Sequence, residues 1–239
     1  MKKYAAIVLS AGSGSRMKSD IPKQYLPLIE KPVIYYSLMA FQNSPVDEII
    51  LVSGANDIEY CRKEIVERYG LSKVTRIVAG GKERYDSVYE GLCATDAEYV
   101  LIHDGARPVL TSHLIDRMIQ GVENTGACIA AMPVKDTIKL SDEHKQVAST
   151  PDRKHLWMVQ TPQCFARTLL EESYEILKCK QKAGENVPDI TDDAMIVEYA
   201  TGKKITLVEG AYTNLKITTP EDLAVAEIFL KSLQLESYK

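Results

Sequence analysis

The sequence predicts an α/β fold with a doubly wound, mostly parallel sheet and a projecting antiparallel arm. Short, continuously apolar runs that alternate with amphipathic segments indicate buried parallel strands joined by helices. About five such strand–helix steps precede residue 133, without an internal repeat. The 239 residues are 45% hydrophobic and 26% charged, which is typical of a globular protein. We therefore predict a single domain over residues 1–239.

The strands and helices of this body are predicted from apolar spacing and from end signals. Strands are predicted over residues 5–9, 48–53, 74–79, 99–103, 127–132 and 204–208. Helices are predicted over residues 33–42, 57–69, 85–93, 114–122, 169–178, 191–199 and 220–233. Gly70 suits a left-handed helix end, Thr111 or Ser112 an amino-terminal cap, and Thr191 the cap of the short helix that begins there.

The arm is predicted where the alternation breaks, over residues 133–160. Short strands are expected at residues 136–140 and 156–160, around a polar, turn-rich centre. An antiparallel pair is favoured because it needs only local pairing. Since an isolated hairpin is marginally stable, we expect the second subunit of a homodimer to cover the arm.

Charge and cysteine content narrow the class of protein. The formal net charge of −4 argues against nucleic acid as the main partner. The apolar run after the two amino-terminal lysines is too short for a signal peptide, and no stretch of about twenty apolar residues could span a membrane. The five cysteines are an odd number without a C-x-x-C pair, so we expect reduced thiols in a soluble cytoplasmic protein.

The loop after the first strand is the leading candidate for a phosphate site. The apolar run 5–9 ends in the small residues 10–15, followed by Arg16 and, seven positions later, Lys23. Small residues let backbone N–H groups approach a polyphosphate, and two cations can neutralise it. A dinucleotide fingerprint is excluded by Met17 at its third glycine position, and the Gly-Lys-Ser/Thr of a Walker A loop is absent. A tight turn with incidental cations is the alternative.

Several charged residues follow other predicted strands and should share the carboxyl edge of the sheet. Gly81 and Arg84 follow one strand, and Asp104 and Arg107 follow another. Because Mg²⁺ prefers oxygen ligands and is often held by carboxylates plus substrate phosphates, Asp104 is the candidate metal ligand. The alternatives are a turn aspartate at 104, Arg107 as its structural partner, and Lys23 as a solvated lysine. His103 is expected to be packed and to have no chemical role.

Seven blocks in register carry a resemblance to a known family. They are LSAGSGSRM with PKQY, GGKERYDSV, HDGARP, PVKDTIK, LWMVQTPQ, TDDA and NLKITTPEDL. Together they resemble the 2-C-methyl-D-erythritol 4-phosphate cytidylyltransferases of the non-mevalonate isoprenoid pathway. The resemblance implies a nucleotidyltransferase-like homodimer with an exchanged arm. It also implies Mg²⁺-dependent transfer of a cytidylyl group from CTP to the phosphorylated alcohol, giving 4-CDP-2-C-methyl-D-erythritol and pyrophosphate.

The resemblance also implies a role for each matching residue. The implied nucleotide-binding residues are Ser10, Ala11, Gly12, Gly14, Gly81, Arg84, Ser87 and Ala106. The implied catalytic residues are Arg16, Lys23 and Lys216, and the implied metal ligand is Asp104. The implied substrate-binding residues are Arg107, Thr137, Arg153, Thr161, Thr191 and Lys216, of which Thr137 and Arg153 would come from the arm of the partner subunit.

One position departs from the family pattern. An acidic residue, the second metal ligand, is expected ahead of the Asn-x-Lys block, but this chain has Thr213. A hydroxyl is a poorer Mg²⁺ ligand than a carboxylate, so weaker metal binding is expected. Ribitol 5-phosphate remains open as the alternative substrate because its cytidylyltransferases also vary here. A non-catalytic nucleotide-binding homologue is the second alternative.

Overall fold

The strands and helices are described by a computed structural model that covers residues 2–12, 17, 19 and 21–236. The strands are β1 (Tyr4–Ser10), β2 (Pro27–Leu28), β3 (Lys31–Pro32), β4 (Glu48–Ser53), β5 (Val74–Ala79), β6 (Tyr99–Asp104), β7 (Ala127–Pro133), β8 (Leu140–Ser141), β9 (Val147–Ser149), β10 (Trp157–Ala166) and β11 (Thr206–Glu209). The helices are α1 (Val33–Gln42), α2 (Ile58–Tyr60), α3 (Arg84–Cys93), α4 (Ser112–Thr125), α5 (Arg167–Lys182), α6 (Asp193–Thr201) and α7 (Pro220–Glu236).

A seven-stranded sheet in the order β11-β7-β10-β6-β1-β4-β5 forms the centre of the molecule. All neighbouring strands are parallel except β10, which runs antiparallel to both β6 and β7. The mostly parallel α/β prediction is confirmed. The carboxyl ends of the parallel strands therefore lie at one edge, where ligands of such sheets bind.

Helices cover both faces of this sheet. On one face, residues of α1 and α4 belong to the same apolar cluster as Ala6 and Val8 of β1. On the other face, residues of α3, α5 and α6 belong to the same cluster as Ile7. Neighbouring residues of β1 thus face opposite layers, and both faces are buried, which explains why this strand is continuously apolar. A third cluster, which includes Ile217 and Ala226, joins α7 to the body.

The predicted strands of the arm are partly wrong. The hairpin is shorter and lies inside the predicted span, since β8 pairs with β9 and residues 136–139 form no strand. Residues 157–160 do extend, but they begin β10, which enters the central sheet beside β7. The local pattern could not distinguish a strand of the arm from the start of a longer strand of the body.

Helix ends follow the predicted signals with two corrections. Thr111 caps α4 through a hydrogen bond that Leu114 N donates, and Gly70 has a φ of 63°. The cap of α6 is Asp192 rather than Thr191, because its carboxylate accepts from Met195 N. The predicted helix at 57–69 is a 3-10 turn (Ala55–Asp57), then α2, then a π-helix (Cys61–Glu67).

Several predicted boundaries also move by a few residues. The strand expected at residues 204–208 is β11, the last helix extends beyond residue 233 as α7, and α4 and α5 are longer than predicted at both ends. Within the described ranges, no helix combines the length and the apolar character needed to cross a membrane.

Candidate active site

A cavity of about 240 Å³ opens at the carboxyl ends of β1 and β6 and at the loop before α3. Seven of the residues implied to bind nucleotide line it: Ser10, Ala11, Gly12, Gly81, Arg84, Ser87 and Ala106. Lys23, Asp104 and Lys216 line it too. Residues of the two glycine-containing loops after β1 and β5 therefore line one cavity together with Lys23, Arg84 and Asp104.

The two glycine loops touch each other. A Cβ atom at Gly80 would lie 2.5 Å from the Cβ of Ala11 and 2.7 Å from Oγ of Ser87, so only glycine fits there. The Ser87 hydroxyl also accepts a hydrogen bond from Gly81 N at 3.1 Å. Glu83 and Asp86 form a capping box that fixes the start of α3. This packing holds the second loop against the first.

Gln24 and Lys23 attach the segment after the first loop to the cavity wall. Gln24 is buried, and its Nε2 donates to the carbonyl oxygens of Ser10 at 2.6 Å and Gly12 at 3.3 Å. Lys23 Nζ donates to the carbonyl oxygen of Ile217 at 2.8 Å. Lys23 is therefore not a fully solvated lysine. Its contact with Ile217 holds the ammonium group beside the segment that carries Lys216.

Asp104 lies among three cations. Its Oδ2 is 2.9 Å from Lys216 Nζ and 3.5 Å from Arg107 Nε, and its Oδ1 is 3.5 Å from Arg84 Nε. Asp104 is only 7% exposed. Burial would raise the pKa of its carboxyl, but Arg84, Lys216 and Arg107 outweigh burial and hold that pKa well below its usual range. The carboxylate is therefore ionised whenever the protein is folded.

A second cavity of about 260 Å³ adjoins the first and shares Arg84, Asp104 and Lys216 with it. Arg107, Thr161 and Thr191, all implied substrate contacts, are part of its lining. The Asp104 cluster is thus common to two cavities. A cation-rich wall between two adjoining cavities suits a reaction that brings two phosphorylated molecules together.

Comparison with known proteins agrees with this geometry. The family model described as 2-C-methyl-D-erythritol 4-phosphate cytidylyltransferase matches residues 4–232. The chain belongs to this family. A family member from Lachnoclostridium phytofermentans is 50% identical over 235 residues, which are 98% of this chain and 99% of the relative. One from Lachnospira eligens is 52% identical over 228 residues, which are 95% and 98% of the two chains.

Solved structures of the cytidylyltransferase family share the fold. The 4-diphosphocytidyl-2C-methyl-D-erythritol synthase of Anaerococcus prevotii is 35% identical, with a TM-score of 0.81 over 96% of each chain. The 2-C-methyl-D-erythritol 4-phosphate cytidylyltransferase of Thermus thermophilus is 27% identical, with a TM-score of 0.75 over 96% of this chain and 99% of that one.

Four residues implied by the cytidylyltransferase resemblance lie outside both cavities or outside the described chain. Thr137 and Arg153 are exposed on the arm, and Arg153 Nη1 donates to the carbonyl oxygen of Lys135 at 2.7 Å. Gly14 and Arg16 lie outside the described residues. Within one chain, the arm residues therefore reach neither cavity.

Thr161, an implied substrate contact of the family, is only 3% exposed, and its hydroxyl forms hydrogen bonds within the protein. It accepts from Asp104 N at 3.1 Å and lies 3.0 Å from His103 Nδ1. His103 Nε2 faces the carbonyl oxygen of Arg107 at 3.2 Å, so Nε2 carries the proton and Nδ1 accepts from Thr161. Burial lowers the pKa of His103 to about 4, which agrees with its prediction as a packed residue without a chemical role.

Among the described residues, Asp104 is the carboxylate that lines both cavities. No group of three or more His, Cys, Asp or Glu side chains gathers as a metal cage in the part of the chain that the structure covers. Asp104 opens onto both cavities, which suits an ion held by one carboxylate and substrate phosphates. Thr213 lines neither cavity.

Three site residues could not be found from motif chemistry. Gln163 and Asn214 hold loops: Asn214 Nδ2 donates to the carbonyl oxygen of Thr161 at 2.8 Å, and Arg107 Nη1 donates to the carbonyl oxygen of Asn214 at 2.8 Å. Asp193 binds Arg84. Each is a polar residue inside a motif block that is buried only in the folded protein, so the sequence pattern alone gives no signal for it.

Proposed function

We propose that this chain transfers the cytidylyl group of CTP to 2-C-methyl-D-erythritol 4-phosphate and releases pyrophosphate. The observation that carries the proposal is the shared cluster of Asp104, Arg84 and Lys216 between two cavities, in a member of the cytidylyltransferase family. The glycine-lined cavity accepts the triphosphate, and the cavity lined by Arg107 accepts the phosphorylated alcohol.

The chemistry needs positioned cations more than it needs a base. Attack of a phosphate oxygen on the α-phosphorus brings two anions together, so repulsion is the main obstacle. Lys23 and Lys216 are held at fixed places, by the carbonyl oxygen of Ile217 and by Asp104 respectively. The attacking phosphate is largely ionised near neutral pH because its second pKa is about 6. A neutral, buried His103 agrees with a mechanism that uses no base.

Mg²⁺ is the metal that this site suits, with Asp104 as its protein ligand. Oδ2 of Asp104 is bound by Lys216 at 2.9 Å, whereas Oδ1 has only the longer 3.5 Å contact with Arg84 Nε. When bound, the ion would neutralise triphosphate charge. Lys23 and Lys216 then stabilise the charge that develops at the α-phosphorus.

The arm supports a homodimer in which each subunit completes the site of the other. Leu140 and Val147 of the hairpin are 54% and 63% exposed, and Met158 at the root of the arm is 45% exposed. Apolar side chains grouped on a protruding element favour an intermolecular contact. In this arrangement Thr137 and Arg153 bind the alcohol phosphate in the second cavity of the partner subunit. We also propose that the enzyme is cytoplasmic.

A mixing experiment tests the shared site. Arg153→Ala and Lys216→Met variants should each be inactive because each lacks a substrate contact. If Arg153 serves the partner's site, an equimolar mixture after subunit exchange should regain about a quarter of wild-type activity, since half the dimers are mixed and each has one intact site. A mixture that stays inactive despite proven exchange would mean that Arg153 acts within its own subunit.

Pyrophosphate release measured by a coupled assay tests the function itself. We expect turnover with CTP, Mg²⁺ and 2-C-methyl-D-erythritol 4-phosphate, little with UTP or ATP, and none with the Lys216→Met variant. Equal or faster turnover with ribitol 5-phosphate would reverse the choice of substrate. Absence of turnover with both alcohols would favour the non-catalytic homologue.

A further inference from the structure

Asp193 is a second buried carboxylate beside the site, and it binds Arg84. It is the first residue of α6 and is fully buried. Its Oδ1 and Oδ2 accept from Nη1 and Nη2 of Arg84, each at 2.9 Å. This is the two-pronged geometry in which a guanidinium and a carboxylate bind most specifically.

The ion pair between Arg84 and Asp193 determines which nitrogen atom of Arg84 faces the site. Because both terminal nitrogens bind Asp193, the group that Arg84 turns toward the site is Nε, 3.5 Å from Oδ1 of Asp104. Arg84 therefore bridges two buried carboxylates. It does not extend its fork toward a phosphate in this arrangement.

The backbone of Asp193 is held in place by Gln163, a residue of the central sheet. Gln163 Oε1 accepts from the backbone N of Asp193 at 3.0 Å and of Ala194 at 3.2 Å. Gln163 Nε2 donates to Oδ2 of Asp192 at 2.9 Å. Gln163 lies in β10, paired with Ile102 of β6, two residues before Asp104. The start of α6 is thus fixed to the strand that carries the metal-ligand candidate.

We propose that Asp193 is a positioning residue for cytidylyl transfer, which keeps the fork of Arg84 away from Asp104 and away from the triphosphate. Without the Asp193 carboxylate, the freed guanidinium is attracted to Asp104, the nearest other carboxylate, and closes on it with both nitrogens. That closure would compete with Lys216 for Asp104 and block the oxygen that faces the ligand. The inference rests on the proposed function.

The Asp193→Asn variant tests this role with almost no change in side-chain volume. We expect kcat to fall about tenfold or more, because the catalytic geometry is disturbed, while KM for CTP changes less than about threefold, because the glycine loops remain. The matched control is Glu48→Gln. Glu48 is also fully buried and forms an ion pair with Lys2. It lies at the start of β4, at the amino ends of the parallel strands, whereas the cavities lie at the carboxyl ends. It should lose stability without this change in kcat.

A double-mutant cycle separates positioning from general destabilisation. All variants are assayed below their unfolding transitions. If Asp193 acts through Arg84, adding Asp193→Asn to an Arg84→Ala background should lower kcat less than about twofold further. Multiplicative losses, or the same small change in kcat for Asp193→Asn and Glu48→Gln, would overturn the proposal. A wild-type protein that releases no pyrophosphate would refute the proposed function and this role with it, whereas a fully active Asp193→Asn variant would refute the role alone.

Discussion

Replacing Thr161 by valine should destabilise the protein more than replacing it by serine. Valine keeps the shape of threonine and removes the hydroxyl, whereas serine keeps the hydroxyl and loses a methyl group. The hydroxyl accepts from Asp104 N at 3.1 Å and donates to His103 Nδ1 over 3.0 Å. Thr161 is 3% exposed and His103 is fully buried, so solvent does not replace these bonds.

The size of the effect follows from the two partners that valine leaves without a hydrogen bond. A buried polar group that loses its partner costs roughly 1–3 kcal/mol, so the valine variant, which leaves two such groups, should lose roughly 2–6 kcal/mol. The serine variant loses one buried methyl group, which costs about 1 kcal/mol. The shape-matched substitution should therefore be the worse one by at least about 1 kcal/mol.

Urea unfolding of the three proteins at neutral pH measures this difference from their midpoints at a common slope. Turnover should fall with valine as well, because the backbone of Asp104 loses one of its fixed positions, and serine should retain most activity. A valine variant that is as stable as the serine variant would show that the hydroxyl does not hold His103 and Asp104 together.

Three further substitutions test separate parts of the site and fold. Lys23→Ala should lower kcat far more than it raises KM, because charge at the α-phosphorus peaks in the transition state; a raised KM with unchanged kcat would remove Lys23 from that role. Thr213 lines neither cavity, so Thr213→Asp should leave Mg²⁺ binding unchanged in a titration of activity against metal, and tighter binding would place residue 213 at the metal. Burial would raise the pKa of Glu48, but hydrogen bonds from Lys2, Thr95 and Thr75 outweigh burial and lower it. Its stabilising effect is therefore present above the unfolded pKa of about 4.3 and is lost as the pH falls through the folded pKa. Glu48→Gln should lower stability at pH 7 and approach the wild type in acid, as thermal unfolding across pH 3–7 would reveal; an equal deficit at all pH values would contradict this.

The parallel body could be predicted because its signal is local. A strand buried on both faces is expected to be apolar along its centre, and β1, β4 and β6 are apolar except near their ends. The carboxyl ends of these strands share a rim for topological reasons, so Asp104 at the end of β6 could be assigned to the site from its position alone.

The continuation of β10 beyond the strand predicted at residues 156–160 could not be predicted, because its burial depends on distant partners. Its central residues include Gln160, Thr161 and Gln163, and a polar segment with a proline is typical of a loop. In the folded protein these side chains find partners far away in sequence, such as Ala211 for Gln160 and Asp192 for Gln163. Only the tertiary structure satisfies them, which is why the local pattern favours the wrong element.

The direction of β10 explains why the arm and the site occur at the same edge of the sheet. β7 ends at Pro133 on the carboxyl edge, and β10 begins at Trp157 opposite it, so the intervening arm leaves and returns at that edge. Because β10 runs antiparallel, its first half, which ends at Thr161, lies at the rim, where a parallel strand would contribute only its last residues. One reversed strand thus supplies the polar side chains that hold Asp104 and α6. It also anchors the arm, which therefore starts beside the cavities.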